Sequence, residues 1–169
     1  EDLDSDAVKK FISLLNKHGR RAVPIEIKPE DLLTKLGLFE NGKLTRAAVL
    51  LLGANPQKYY PYASVKIGRF KSQTIIEDER EIRGCLIKQI EEVLDWLRRM
   101  FATKLEITEN PSRVTRWEYP LEAVREAVAN ALCHRDYRLD GNIQIRLFDS
   151  HIEFWNPGSL SPVLSIEDL

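Results

Sequence analysis

Apolar positions along this chain recur with two periods, and each predicts its own kind of element. Over 6–18 (DAVKKFISLLNKH), Ala7, Val8, Phe11, Ile12 and Leu15 share one helical face, with Gly19 as the stop. An extended stretch, AVPIEI, follows. Two short helices are predicted over 29–36 and 45–52, with an Asn41-Gly42 turn between them. Such a pair admits a helix-turn-helix reading. However, the second helix, LTRAAVLLLG, carries Arg46 as its single charge, so a buried helix is the better expectation than a groove reader.

Residues 62–70 (YASVKIGRF) alternate as a strand, with Ala63, Val65, Ile67 and Arg69 on one side. Ile82, Leu86, Ile90, Val93, Leu94, Leu97 and Phe101 form a continuous stripe, which predicts the longest helix over 82–101. Its other face, with Glu91, Glu92, Arg98 and Arg99, reads as solvated surface. Residues 112–119 read as a strand, and Pro120 stands at the entry to a helix over 121–137. Residues 143–148 and 151–155 predict a hairpin joined at Asp149-Ser150 and ended by Asn156-Pro157-Gly158-Ser159. The sum is an α/β (α+β) protein. A helical N-terminal segment, 1–58, should pack on a mixed sheet with helices on one face, formed by 59–169.

Composition narrows the function classes. With 43% hydrophobic and 30% charged residues the chain is globular rather than disordered. A net charge of −1 gives no global field for nucleic acid, so contact with it would need a local patch or another domain. Lys17, Arg20, Arg21, Arg69 and Lys71 are the basic residues such a patch would use, and solvated surface is the simpler reading of them. Cys85 and Cys133 lack metal-type spacing, which fits a reduced, cytoplasmic protein. The longest apolar run, 47–53, is far too short to span a bilayer, so no membrane partner is expected. The chain starts at Glu1, has Met100 as its only methionine and stops at SIEDL, which predicts a segment of a longer protein.

The candidate chemistry lies on 121–137, LEAVREAVANALCHRDY. On a helical wheel Leu121, Val124, Val128, Ala131 and Leu132 cluster on one side, and Glu126, Asn130, Cys133 and Tyr137 fall opposite. Asparagine is a poor mid-helix residue because its amide competes for backbone hydrogen bonds. Magnesium takes hard oxygen ligands and only one or two groups from a protein, and the Asn130 carbonyl oxygen qualifies. Glu126, one turn earlier, could orient and deprotonate a water aimed at a phosphate. On spacing alone E-x-x-x-N is common, and a solvated helix face is the simpler reading of it. The adjacent His134-Arg135-Asp136 suggests a kinase catalytic loop, but Asn142 stands one position too late and no glycine-rich loop precedes it. Capping or local pairing by Arg135 and Asp136 is the expectation instead.

Several runs together resemble a known family. They are Asn41-Gly42-Lys43-Leu44-Thr45 with Ala47-Ala48-Val49-Leu50-Leu51 and Gly53, then Arg125-Glu126-Ala127, Asn130-Ala131-Leu132, His134-Arg135-Asp136-Tyr137, and Ile152-Glu153-Phe154-Trp155-Asn156-Pro157-Gly158. The chain from about Asp31 to Leu169 resembles bacterial and archaeal proteins labelled "ATP-dependent DNA helicase-related" or "predicted transcriptional regulator". These join a Schlafen-type, Alba-like DNA-binding domain to a C-terminal ATPase-like domain of the gyrase, heat-shock-90, histidine-kinase and MutL (GHKL) class. The resemblance implies a partial GHKL, Bergerat-like fold with ATP and magnesium as cofactors. Glu126 would be the general base, Asn130 the magnesium ligand, and Asn156 and Gly158 part of the adenine-binding glycine box. It also implies a DNA-associated regulator switched by nucleotide, with nucleic acid bound through a domain outside this segment and a homo-oligomer as a further expectation. Two departures stand out. Asn156 replaces the aspartate that receives the adenine amino group, and Ser159 stands where relatives often have a second glycine. They leave room for a degenerate scaffold or dimerisation module instead. The helicase label finds no motif to support it here.

Overall fold

The computed structural model describes residues 3–19, 23, 24, 26–101, 103–107, 113–117 and 119–159. In chain order the elements are α1 (Ser5–His18), α2 (Pro29–Lys35), a hairpin of β1 (Phe39–Glu40) and β2 (Lys43–Leu44), α3 (Arg46–Leu52), β3 (Val65–Phe70), β4 (Ile76–Ile82), α4 (Leu86–Met100), β5 (Thr103–Ile107), β6 (Arg113–Trp117), α5 (Leu121–Cys133), β7 (Ile143–Leu147) and β8 (Ile152–Trp155). The fold is therefore mixed, with helices and a four-stranded mixed sheet, as the periodicities predict.

The N-terminal helices start where local chemistry allows. The Asp4 side chain caps α1 by accepting from the Ala7 N–H at 2.9 Å, and Lys88 of α4 pairs with the same carboxylate. The Thr45 hydroxyl caps α3 through the Ala48 N–H at 3.3 Å. Ala48, Leu50 and Leu52 of α3 are buried, in keeping with a helix that packs rather than reads a groove. A two-stranded hairpin, not a simple turn, joins α2 to α3. Ala7, Val8, Ile12, Leu32, Leu33 and Leu52 form one apolar cluster, which also takes in Cys85 and Ile87 at the start of α4.

The main sheet has the order β4-β3-β7-β8. β3 and β7 are parallel, and the two outer pairings are antiparallel. The predicted hairpin is present, with Ile145 opposite Phe154 and Leu147 opposite Ile152. Val65, Ile67, Ile143, Ile145 and Leu147 line one face, and Val93, Leu94, Leu97, Val124, Val128 and Leu132 from α4 and α5 cover it. On the opposite face Arg146 lies over the rings of Phe70 and Trp155, at 5.7 and 5.1 Å from their centroids.

One predicted element is corrected. The helix expected over 82–101 begins at Leu86, and Ile82 is the last residue of β4. Gly84, at φ 98°, separates the two, in a conformation that a side chain makes costly. β4 itself (IEDEREI) had no apolar period to announce it; it forms by pairing with β3 from Val65↔Ile82 to Phe70↔Ile76. The strand expected over 112–119 corresponds to β6, antiparallel to β5. Residues 112 and 118 lie outside the described residues, as do Arg20, Arg21, and Ala22 and Ile25 of the AVPIEI stretch.

Candidate functional site

Helix α5 divides as its wheel predicts. Val124, Val128, Ala131 and Leu132 are buried, and Glu126 and Asn130 are exposed. The Asn130 amide donates to Glu126 Oε1 at 3.2 Å, so the two polar side chains act as a pair across one turn. That bond uses the amide nitrogen and leaves the Asn130 carbonyl oxygen as a hard donor. The helix ends at Cys133, earlier than its sequence suggests, and the His134 N–H closes on Asn130 O at 2.9 Å. Tyr137 is thus not on the helix face where the wheel put it. Its hydroxyl folds back and donates to Leu132 O at 2.7 Å.

The turn after β8 docks against this helix end. The Asn156 amide donates to Ala131 O at 2.9 Å, the residue next to Asn130. The Asp136 N–H donates to Pro157 O at 3.1 Å. Gly158 has φ 139°, and a Cβ there would stand 3.7 Å from the Asp136 nitrogen. Asn130, Asn156 and Gly158 are therefore gathered at one end of α5, with Glu126 a turn back. Along the same flank of the helix runs a groove of about 300 Å³, lined by Tyr119, Ala123, Ala127, Ile152 and Phe154 among others. A larger cleft of about 810 Å³ lies between α1, α4 and α5. Its lining includes Glu122 and Arg125 but not Asn130, and Lys10 and Arg98 on its wall are already paired with Glu91 and Asp95.

Of the two residues that sequence reasoning placed in ordinary local roles, Asp136 pairs locally with Arg138, and Arg135 has a larger role. Arg135 is 5% exposed and donates to Tyr62 O at 2.6 Å and Gly141 O at 2.8 Å, with a longer contact to Leu139 O at 3.4 Å. It thereby clamps the turn after α5 to the segment before β3. Asp136 pairs with Arg138, whose guanidinium holds that carboxyl down at about 2. Burial pushes the Tyr137 phenol up from 10.0 to about 12. The sign follows from linkage. A raised folded-state value favours the folded form while the phenol is protonated, fully below about pH 10, and that contribution is lost as pH climbs towards 12. Urea midpoints of Tyr137→Phe should accordingly fall less steeply than those of the unmodified protein between these pH values. Parallel slopes would show that this phenol does not titrate with folding.

Among the described residues no group of three or more His, Cys, Asp or Glu side chains is arranged to hold a metal, and no helix is long and apolar enough to cross a membrane. No family model matches the chain, and neither does any curated protein. A crystal structure of the DIP2311 protein from Corynebacterium diphtheriae is similar in fold, with a TM-score of 0.75 at 20% identity. The likeness covers 97% of this chain and 32% of that one, so this chain spans about a third of that protein's length.

Proposed function

We propose that this chain carries the first part of an ATP- and magnesium-binding switch of the GHKL type, within a DNA-associated transcriptional regulator. The observation that carries the reading is the Asn156–Ala131 tie, which brings the 156–158 turn against the helix end bearing Asn130. A nucleotide site of this type needs a polar helix face for the phosphates and a turn for the base, side by side. The apolar groove at Ala123 and Ala127 runs along the same helix and reaches β8 at Ile152 and Phe154.

The donor set suits the proposed cofactors. Asn130 offers one carbonyl oxygen, in keeping with magnesium's preference for few protein ligands and many from phosphate and water. When bound, the ion would neutralise phosphate charge. Glu126, exposed and held by the Asn130 amide, is placed to accept a hydrogen bond from a water and later its proton. With its amide committed to Ala131, Asn156 presents its side-chain oxygen as the acceptor for an adenine amino group, without the charge an aspartate would bring. Binding of this kind shifts a conformational equilibrium only through differential affinity for two states. The DNA-binding part would lie elsewhere in the protein, and homo-oligomerisation and a cytoplasmic location belong to the same proposal.

Titrating ATP with magnesium into the full-length protein tests the reading. Asn130→Ala should weaken binding about tenfold or more, the scale of a lost charge-assisted contact. Glu126→Gln should keep binding and lose hydrolysis. Equal affinity before and after Asn130→Ala would remove the proposal. The uncharged Asn156 favours one second reading, a non-catalytic scaffold or dimerisation module. On that reading Glu126→Gln changes neither nucleotide turnover nor regulation.

A further inference from the structure

The turn after α5 faces the 59–63 segment across a cavity of about 270 Å³, whose wall includes Tyr60, Tyr62, Arg135, Tyr137 and Arg138. Arg135 is the unusual member. It is a cation almost wholly withdrawn from water, yet all three of its bonded acceptors are backbone carbonyls. Its neighbouring carboxylate, Asp136, favours the Arg135 charge across space but is hydrogen-bonded by the backbone N–H and two guanidinium nitrogens of Arg138. Arg135 Nε is buried with no hydrogen-bond partner among the described residues.

A buried charge is normally accompanied by a counter-charge, and an interior N–H left unbonded is costly. The cavity that Arg135 lines is where a counter-charge can stand beside it. Asp140 also stands on its wall, exposed to solvent, and among the described residues no ion pair joins it to either arginine. Tyr62 is 45% exposed, so a ring can reach it. The Arg135 guanidinium already lies over the Tyr137 ring at 4.9 Å. The volume falls just below the usual range of ligand pockets, roughly 300 Å³ upward, which limits the occupant to a small molecule.

We propose that this cavity binds a small oxyanion attached to a planar ring, with the anion against Arg135 and Arg138 and the ring against Tyr62. Arginine supplies a planar fork for a carboxylate or phosphate, and the tyrosines supply flat apolar area with a polar edge. The site is separate from the Glu126–Asn130 face and does not depend on nucleotide binding there.

Four probes test it by calorimetry on the full-length protein: phenyl phosphate, benzoate, inorganic phosphate and phenol. At least one of the two aromatic anions should bind, and inorganic phosphate and phenol should each be weaker by about tenfold, since each keeps half of the recognition. The preference between phenyl phosphate and benzoate then names the acid group. Because Arg135 also ties two turns together, the variants are the exposed Tyr62→Ala and Arg138→Gln. Each should weaken binding about tenfold, and Asn130→Ala should leave it unchanged. The proposal is overturned if neither aromatic anion binds at millimolar concentration, if both replacements leave affinity intact, or if Asn130→Ala abolishes binding.

Discussion

Trp96→Ala should lower the unfolding free energy by about 3–5 kcal/mol, the range for removing a buried aromatic side chain. Trp96 is 1% exposed. It belongs to the apolar cluster between α4, α5 and the sheet, and its indole N–H donates to Asp78 Oδ2 at 3.2 Å. Truncation leaves a cavity the size of an indole and frees the Asp78 carboxylate on β4. Trp96→Phe separates the two effects. It keeps most of the packing and loses the hydrogen bond, so its cost should be nearer about 1–2 kcal/mol. Urea unfolding followed by circular dichroism measures both. Equal costs for Ala and Phe would mean that the bond to Asp78, and not packing, is what Trp96 supplies.

Replacing Arg135 by Met should be of similar size, about 3 kcal/mol, for a different reason. The apolar volume is largely retained, but the carbonyls of Tyr62, Leu139 and Gly141 lose their shared donor. Tyr62 O keeps the Ser64 N–H at 2.8 Å, so the cost falls mainly on the other two acceptors and on the lost tie itself. A carbonyl left without a partner costs about 1–3 kcal/mol, and relief of the guanidinium's desolvation offsets part of that. Amide hydrogen exchange should localise the damage to the turn after α5 and the 59–63 segment before it spreads to α4. A variant as stable as the unmodified protein would show that desolvating the guanidinium costs as much as its three bonds return.

Trp96 and Arg135 also mark where the sequence was legible and where it was not. Periodicity located α1, α5 and the β7–β8 hairpin, because in each the apolar face is the buried face. It also put Val93, Leu94, Leu97 and Phe101 in the core, where they are. It passed over Trp96, which sits beside that stripe and not on it. It missed β4 because strand formation there comes from backbone pairing with β3 and not from any alternation in IEDEREI. Ile82 joined the helical stripe by coincidence. It lies four residues before Leu86, but Gly84 turns the chain between them.

The candidate site was legible to the same degree. Glu126 and Asn130 were placed on the open face of α5 by the wheel alone. That Asn156 would reach back to Ala131 was not legible, since the contact spans 25 residues and depends on the docking of β8. The clamp made by Arg135 was hidden for the same reason. Its principal acceptor, Tyr62 O, lies 73 residues away in the chain.

Helix α4 has a consequence for how the molecule comes apart. Its first turn contributes Cys85 and Ile87 to the cluster around α1 and α2. Its later turns contribute Val93, Leu94, Trp96 and Leu97 to the cluster beneath the sheet. A helix propagates order along its own axis, so neither cluster can dissolve without fraying the rod that both share. The amides of α1 and of β7 should then exchange through one common opening, at matching free energies, rather than as two separately melting halves.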